Sequence, residues 1–337
     1  MIARTFWRNS GQRGFLSLEK PDLFIVGAPK CGTTALSNFL GEHPDIYMAR
    51  KEMHVFGTDL RFGPQFYRRD LEAYLAEFSA RNGRRHSGEA SVWYLFSAHA
   101  AAEIKAFNPN ARIVIMLREP SEMLYSLYYQ FRFDGNEHLP TLEEALAAED
   151  DRRAGRRISR RAYFPQGLSY REAARYTLQV RRYFEAFGRE RVHVVLYDDF
   201  AADTAKTYRT TLKFLEVDST RMATDFKVIN GNNALRPSAL RTLLRDPFLC
   251  RLLLTVRPWL PRAVFATLQK VDARLRNTQS HPAPRPPLAP ELRARLNREF
   301  APEVERLSEL LGRDLTAWSK NSSYAGRSSI CGPPCPW

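Results

Sequence analysis

Lys30, Thr33, Thr34, Glu52 and His54 bring a cation, two hydroxyls, a carboxylate and an imidazole into one short stretch of chain. The first three lie in the loop GAPKCGTT, residues 27–34, and the last two in KEMHVF, residues 51–56. A lysine among small residues and hydroxyls suits an anionic ester, and a carboxylate or imidazole nearby can accept a proton from an attacking group. In an extended segment residues i and i+2 share a face, so Glu52 and His54 would both reach one pocket.

Local structure has to hold these groups in place. Leu23 to Val26 is a short apolar run of the kind that makes a buried strand, and Gly27 closes it. Leu36, Phe39 and Leu40 then fall at i, i+3 and i+4, so the chain turns into a helix at Thr33 or Thr34. The N-terminus of that helix offers unpaired N–H donors to an anion. The loop nearly fits the nucleotide-binding pattern G-x-x-x-x-G-K-[ST], but Thr33 stands in the lysine position and the lysine comes three residues earlier, at Lys30. A charge entering from the loop suits a diester-like group better than a metal-bound triphosphate; a purely structural turn is the alternative.

The length of 337 residues and 44% hydrophobic content allow a sizeable core, read most simply as one α/β domain. A net charge of +14 favours anionic partners: nucleotide, sulfated or phosphorylated substrate, nucleic acid or membrane surface. Four scattered cysteines are too few for a disulfide framework, and the CGPPC of the tail lacks the further ligands of a metal site. With no apolar leader and no long uncharged stretch, the sequence predicts a soluble, cytoplasmic protein without a transmembrane segment.

Further along, Ala111–Leu117 and Arg191–Tyr197 read as buried strands, the first ending in Arg118-Glu119-Pro120 before a helix. Strand, arginine, helix repeats the logic of the first loop, at the strand ends where open α/β sheets bind ligands. His193 reads as a core histidine. Residues 152–161, RRAGRRISRR, would form two arginine stripes if helical, which like charges at i,i+4 disfavour. They form either a solvated loop or an acceptor-facing patch. Residues 176–187 predict an amphipathic helix, 248–271 an apolar stretch too interrupted to span a membrane, 281–290 a proline-rich connector, and 291–318 a closing amphipathic segment.

GAPKCGTTAL, then HPDIYMARKEMHVF, then LREPSEMLYSLYY resemble, in that order, the donor loop, catalytic segment and 3′-phosphate segment of the sulfotransferases that use PAPS, 3′-phosphoadenosine 5′-phosphosulfate. VVLYDDF and SELLGRDLTAW extend the resemblance, which is nearer to the bacterial and heparan-sulfate-type members. It implies a P-loop-like central parallel sheet flanked by helices, with a lead-in at 1–21, the domain at 22–318 and a disordered tail at 319–337. It also implies PAPS as donor and PAP as product without a metal. Lys30, Cys31, Gly32, Thr33 and Thr34 would hold the 5′-phosphate and sulfuryl group, and Lys30 would stabilise charge on the bridging oxygen. Arg118 and Ser126, with Arg236 as a further candidate, would hold the 3′-phosphate. Glu52 would be the general base, with His54 its partner or an alternative base.

The chain departs from that family at several points. Ala90 stands where heparan-sulfate-type members have a second catalytic lysine, Met123 where relatives have an arginine, Val92 where many have proline, and Val55 breaks an aromatic pair. The resemblance implies a small-molecule, glycan or lipid acceptor and no nucleic acid, and it leaves the oligomeric state open. A P-loop kinase or NTPase, and a non-enzymatic anion or nucleic-acid binder, are the competing readings.

Overall fold

The computed structural model describes residues 20–63, 70–160, 162–221, 226, 233–235, 280–282 and 286–320. Arg236, the apolar stretch 248–271, the CGPPC tail and all but the end of the lead-in lie outside them.

Five strands, β1 (Leu23–Gly27), β2 (Ile46–Met48), β3 (His86–Ala90), β4 (Arg112–Leu117) and β5 (Val192–Leu196), form one sheet in the order β2-β3-β1-β4-β5. Every pairing is parallel, with Leu23 opposite both Gly88 and Arg112. Parallel sheets carry helices on both faces, which is why β1 and β4 read as unbroken apolar runs. β1 is central and wholly buried. The chain leaves it toward β2 and later returns on its other side at β4, so the end of β1 is the switch point where such sheets bind ligands.

β3 reads HSGEA and has no apolar pattern, so the sequence does not announce it. It forms because its polar side chains find buried partners. His86 sits between Asp22 Oδ2 and the Leu215 carbonyl, each at 2.7 Å.

Among the described residues the helices are α1 (Thr33–Glu42), α2 (Leu71–Ala76), α3 (Ala100–Phe107), α4 (Pro120–Asp134), α5 (Leu142–Ala147), α6 (Glu149–Arg153), α7 (Tyr170–Ala173), α8 (Tyr176–Phe187), α9 (Tyr197–Ala202), α10 (Thr204–Phe214) and α11 (Pro290–Leu311). Pro120 and Pro290 occupy first helical positions, where a missing N–H is harmless. α11 packs Leu292, Leu296, Phe300, Val304 and Leu307 inward, against α4 and α8. No helix among the described residues is long and apolar enough to cross a membrane. His193 stacks on Phe214 with ring centroids 5.2 Å apart, as a core histidine would.

The arginine run is not one helix, because α6 stops at Arg153 and Gly155 turns the chain. Arg152 points inward, its Nη2 donating to both oxygens of buried Glu137 at 2.8 and 2.7 Å. Arg153 pairs with Asp150, and Arg156 with Asp151 at 2.6 Å. Much of the run is thus matched by acids from its own turn and from the core.

Candidate active site

β1 delivers Gly27 to the switch point with φ +144°, and a Cβ there would lie 2.4 Å from the Val92 carbonyl. Only glycine lets residues 91–95 close against the loop, where Ser91 N donates to Ile25 O at 3.1 Å and Leu95 N to Val26 O at 2.7 Å. Gly32, φ +90°, precedes the first residue of α1. No side chain caps α1, so its first amides face the loop as orphan donors. Lys30 donates to Gln130 Oε1 on α4 at 3.0 Å. The Cys31 side chain is buried: its Sγ donates to Pro29 O at 3.3 Å, and burial pushes the thiol up to about 12.

Beyond β2 the chain runs beside β3, with Ala49 N on Gly88 O at 2.8 Å and Glu52 N on Ala90 O at 2.9 Å. It does not continue as an extended segment. Glu52 at φ +59° and His54 at +51° are left-handed, and with Lys30 at +62° they make up three of six such non-glycine residues among those described. Met53 N and His54 N donate to Ser91 Oγ at 3.1 and 3.4 Å; Val55 N and Phe56 N donate to Tyr94 OH at 2.9 and 3.3 Å.

Glu52 and His54 do meet, His54 Nε2 lying 3.4 Å from Glu52 Oε2, but through two left-handed turns rather than strand alternation. Although 36% of the Glu52 side chain meets solvent, Oε2 is enclosed and has no hydrogen-bond partner among the described residues. Burial pushes the Glu52 carboxyl up to about 7, opposed by the Lys51 ammonium and the Val92 N–H. His54 stacks on Phe62 at 4.0 Å, and burial pushes it down to about 4. It is therefore neutral at neutral pH.

Lys51 was not among the residues picked out by motif. Its Nζ donates to Thr34 Oγ1 at 2.5 Å, tying the segment of Glu52 to the start of α1. Burial lowers its pKa, and Glu52 raises it. Adjacency to Glu52 was the available signal.

A third group forms where β4 ends. The Arg118 guanidinium lies 4.5 Å from the Tyr197 ring centroid, and Nη2 donates to Glu122 Oε2 at 3.1 Å. Glu122 also receives Arg293 from α11, which reaches Glu119 Oε1 at 3.3 Å. Ser126, buried, stands one turn beyond Glu122 on α4. Arg293 is distant in sequence and carried no motif that could have flagged it.

A model of the sulfotransferase domain matches residues 20–236. A crystal structure of a sulfotransferase from Alicyclobacillus acidocaldarius is 31% identical, with a TM-score of 0.66, covering 90% of this chain and 100% of that one. The bifunctional heparan sulfate N-deacetylase/N-sulfotransferase 1 of Caenorhabditis briggsae is 27% identical over 200 residues, which is 58% of this chain and 23% of the relative. Human carbohydrate sulfotransferase 15 is 33% identical over 153 residues, 33% of this chain and 27% of the relative. The chain thus spans about a quarter of the length of these two larger proteins.

Proposed function

The chain belongs to the sulfotransferase domain family, and from that premise we propose that it carries a sulfuryl group from PAPS to a hydroxyl or amine of a carbohydrate acceptor, with Glu52 as general base. PAPS, when bound, supplies a sulfuryl group on a phosphate leaving group. The residues present suit it. The uncapped start of α1, Gly32, Thr33, Thr34 and the Lys30 ammonium would hold the 5′-phosphate end. Lys51, already on Thr34, brings a second ammonium to the same point, in a chain that has Ala90 where heparan-sulfate-type members have their second lysine.

Arg118 and Ser126 would hold the 3′-phosphate. Arg293 shares the charge of Glu122, so Arg118 can turn to a phosphate dianion without stranding a half-buried carboxylate. Glu52 takes the proton of the attacking oxygen or nitrogen, and a carboxyl raised to about 7 is matched to that task near neutral pH. The carrying observation is the enclosed Glu52 Oε2, which accepts no hydrogen bond from the described residues, beside a lysine that bridges to the donor loop. The carbohydrate acceptor follows the named specificities of the relatives.

The test is transfer of labelled sulfate from PAPS to N-deacetylated heparosan and chondroitin oligosaccharides, alongside lipid and phenol acceptors, with PAP and ATP binding measured with and without magnesium. Transfer to a carbohydrate, with metal-independent PAP binding, is expected. Magnesium-dependent binding of ATP in place of PAP would overturn the donor assignment, and transfer to a lipid or phenol alone would overturn the acceptor class.

A further inference from the structure

We propose that Glu89, a buried carboxylate on β3, is the positioning residue that sets the geometry of the Glu52 loop; this rests on Glu52 being the base. The two hydroxyls that receive the amides of residues 53–56 both pass their own protons to Glu89. Ser91 Oγ donates to Glu89 Oε2 at 2.7 Å, and Tyr94 OH donates to Oε1 at 3.1 Å. Tyr74 OH on α2 donates to Oε1 at 3.0 Å. One carboxylate therefore anchors two relays that together hold four consecutive amides.

The direction of each bond is fixed by chemistry. An amide N–H can only donate, and Met53 and His54 occupy the acceptor side of Ser91 Oγ, so its single proton has to point at Glu89. Val55 and Phe56 constrain Tyr94 in the same way. Glu89 must accept at both oxygens, the role of the ionised form. Burial pushes its carboxyl up to about 7, against the pull of Ser91, Tyr74 and Tyr94, with Glu52 adding to the rise. A glutamate in a strand with no surface exposure is costly without such a purpose. A glutamine could not serve equally, because its amide nitrogen would have to face a hydroxyl that is already required to donate.

Hydrogen–deuterium exchange on the full chain and on E89Q tests the proposal without needing an acceptor. Exchange in residues 50–57 should rise by roughly ten-fold while residues 27–35 stay unchanged. PAP affinity should stay within about three-fold of wild type, while PAP release from PAPS, to the best carbohydrate of the panel or to water, falls by roughly 100-fold in kcat with little change in donor KM. S91A and Y94F each cut one relay with Glu89 in place, so they decide the matter should E89Q not fold. Y74F removes a bond to the same carboxylate that leads to no loop amide, and it should leave kcat within about two-fold. Unchanged exchange at 50–57, equal loosening of 27–35, or Y74F as damaging as Y94F would each sink the idea. A wild-type chain that binds no PAP would instead sink the donor reading, while the exchange result still decides Glu89.

Discussion

The donor loop and the base loop lie side by side over the ends of β1 and β3, yet they are held in opposite ways. The donor loop takes its shape from backbone alone: Gly27 and Gly32 adopt positive φ, Lys30 joins them at +62°, Ala28 N bonds Met116 O of β4 at 2.6 Å, and a helix begins at once. The base loop has two left-handed residues and no glycine between 49 and 56. Each such residue costs roughly 1–2 kcal/mol, and the four amide bonds to Ser91 and Tyr94, at about 0.5–1.5 kcal/mol each, are of the size needed to offset that. A loop shaped by glycine can be recognised from a motif. A loop shaped by distant hydroxyls can be located in the sequence but not drawn from it.

The sharpest way to separate the two loops is Glu52→Gln. Turnover should fall by about 10³-fold, while PAP affinity, which belongs to the other loop, stays nearly constant; a matching loss of PAP binding in calorimetry would merge the two roles. Arg118→Ala tests the donor side alone. It should weaken PAP by roughly 10–100-fold, the worth of a charge-assisted contact, yet leave adenosine 5′-phosphosulfate, which lacks the 3′-phosphate, almost unaffected. Equal losses for both donors would remove Arg118 from that contact.

Lys51 belongs to one loop and touches the other, so Lys51→Met should register on both. PAP should bind several-fold more weakly, on the order of one lost charged hydrogen bond in a partly solvated site. Lys51 also lowers the Glu52 carboxyl, so its removal raises that group, and the rising limb of kcat/KM, expected near pH 7 in wild type, should move to higher pH. A profile that stayed in place would separate Lys51 from the base.

The smallest effect is on stability. The folded Glu52 carboxyl is raised from 4.5 to about 7, so its contribution is fully present below about 4.5 and lost as pH rises through 7. Glu52→Gln, which mimics the protonated form, should therefore melt about 1–2 °C higher than wild type at pH 8, with no difference at pH 4, as calorimetry can check.

Much of this was legible in the chain. The apolar runs of β1, β4 and β5 gave the sheet, and GAPKCGTT, Glu52 and Arg118 marked the candidate site, because each depends on local pattern. β3 was not legible, since its burial is licensed by partners such as Asp22 and Tyr74 that no periodicity links to it. The arginine run left a solvated loop and an acceptor-facing patch both open, and spacing could not show that Arg152 turns inward to Glu137 while Arg156 pairs with Asp151. Lys51 and Arg293 went unmarked because their roles come from where their side chains end, and helical or strand spacing is silent on that.

The enclosed Cys31 gives the donor loop a built-in clock. Alkylation needs a thiolate in contact with solvent, and a fully buried thiol held up at about 12 reacts only when the loop opens around it. The rate at which iodoacetamide marks Cys31, read by peptide mass, counts those openings, and saturating PAP should slow the count.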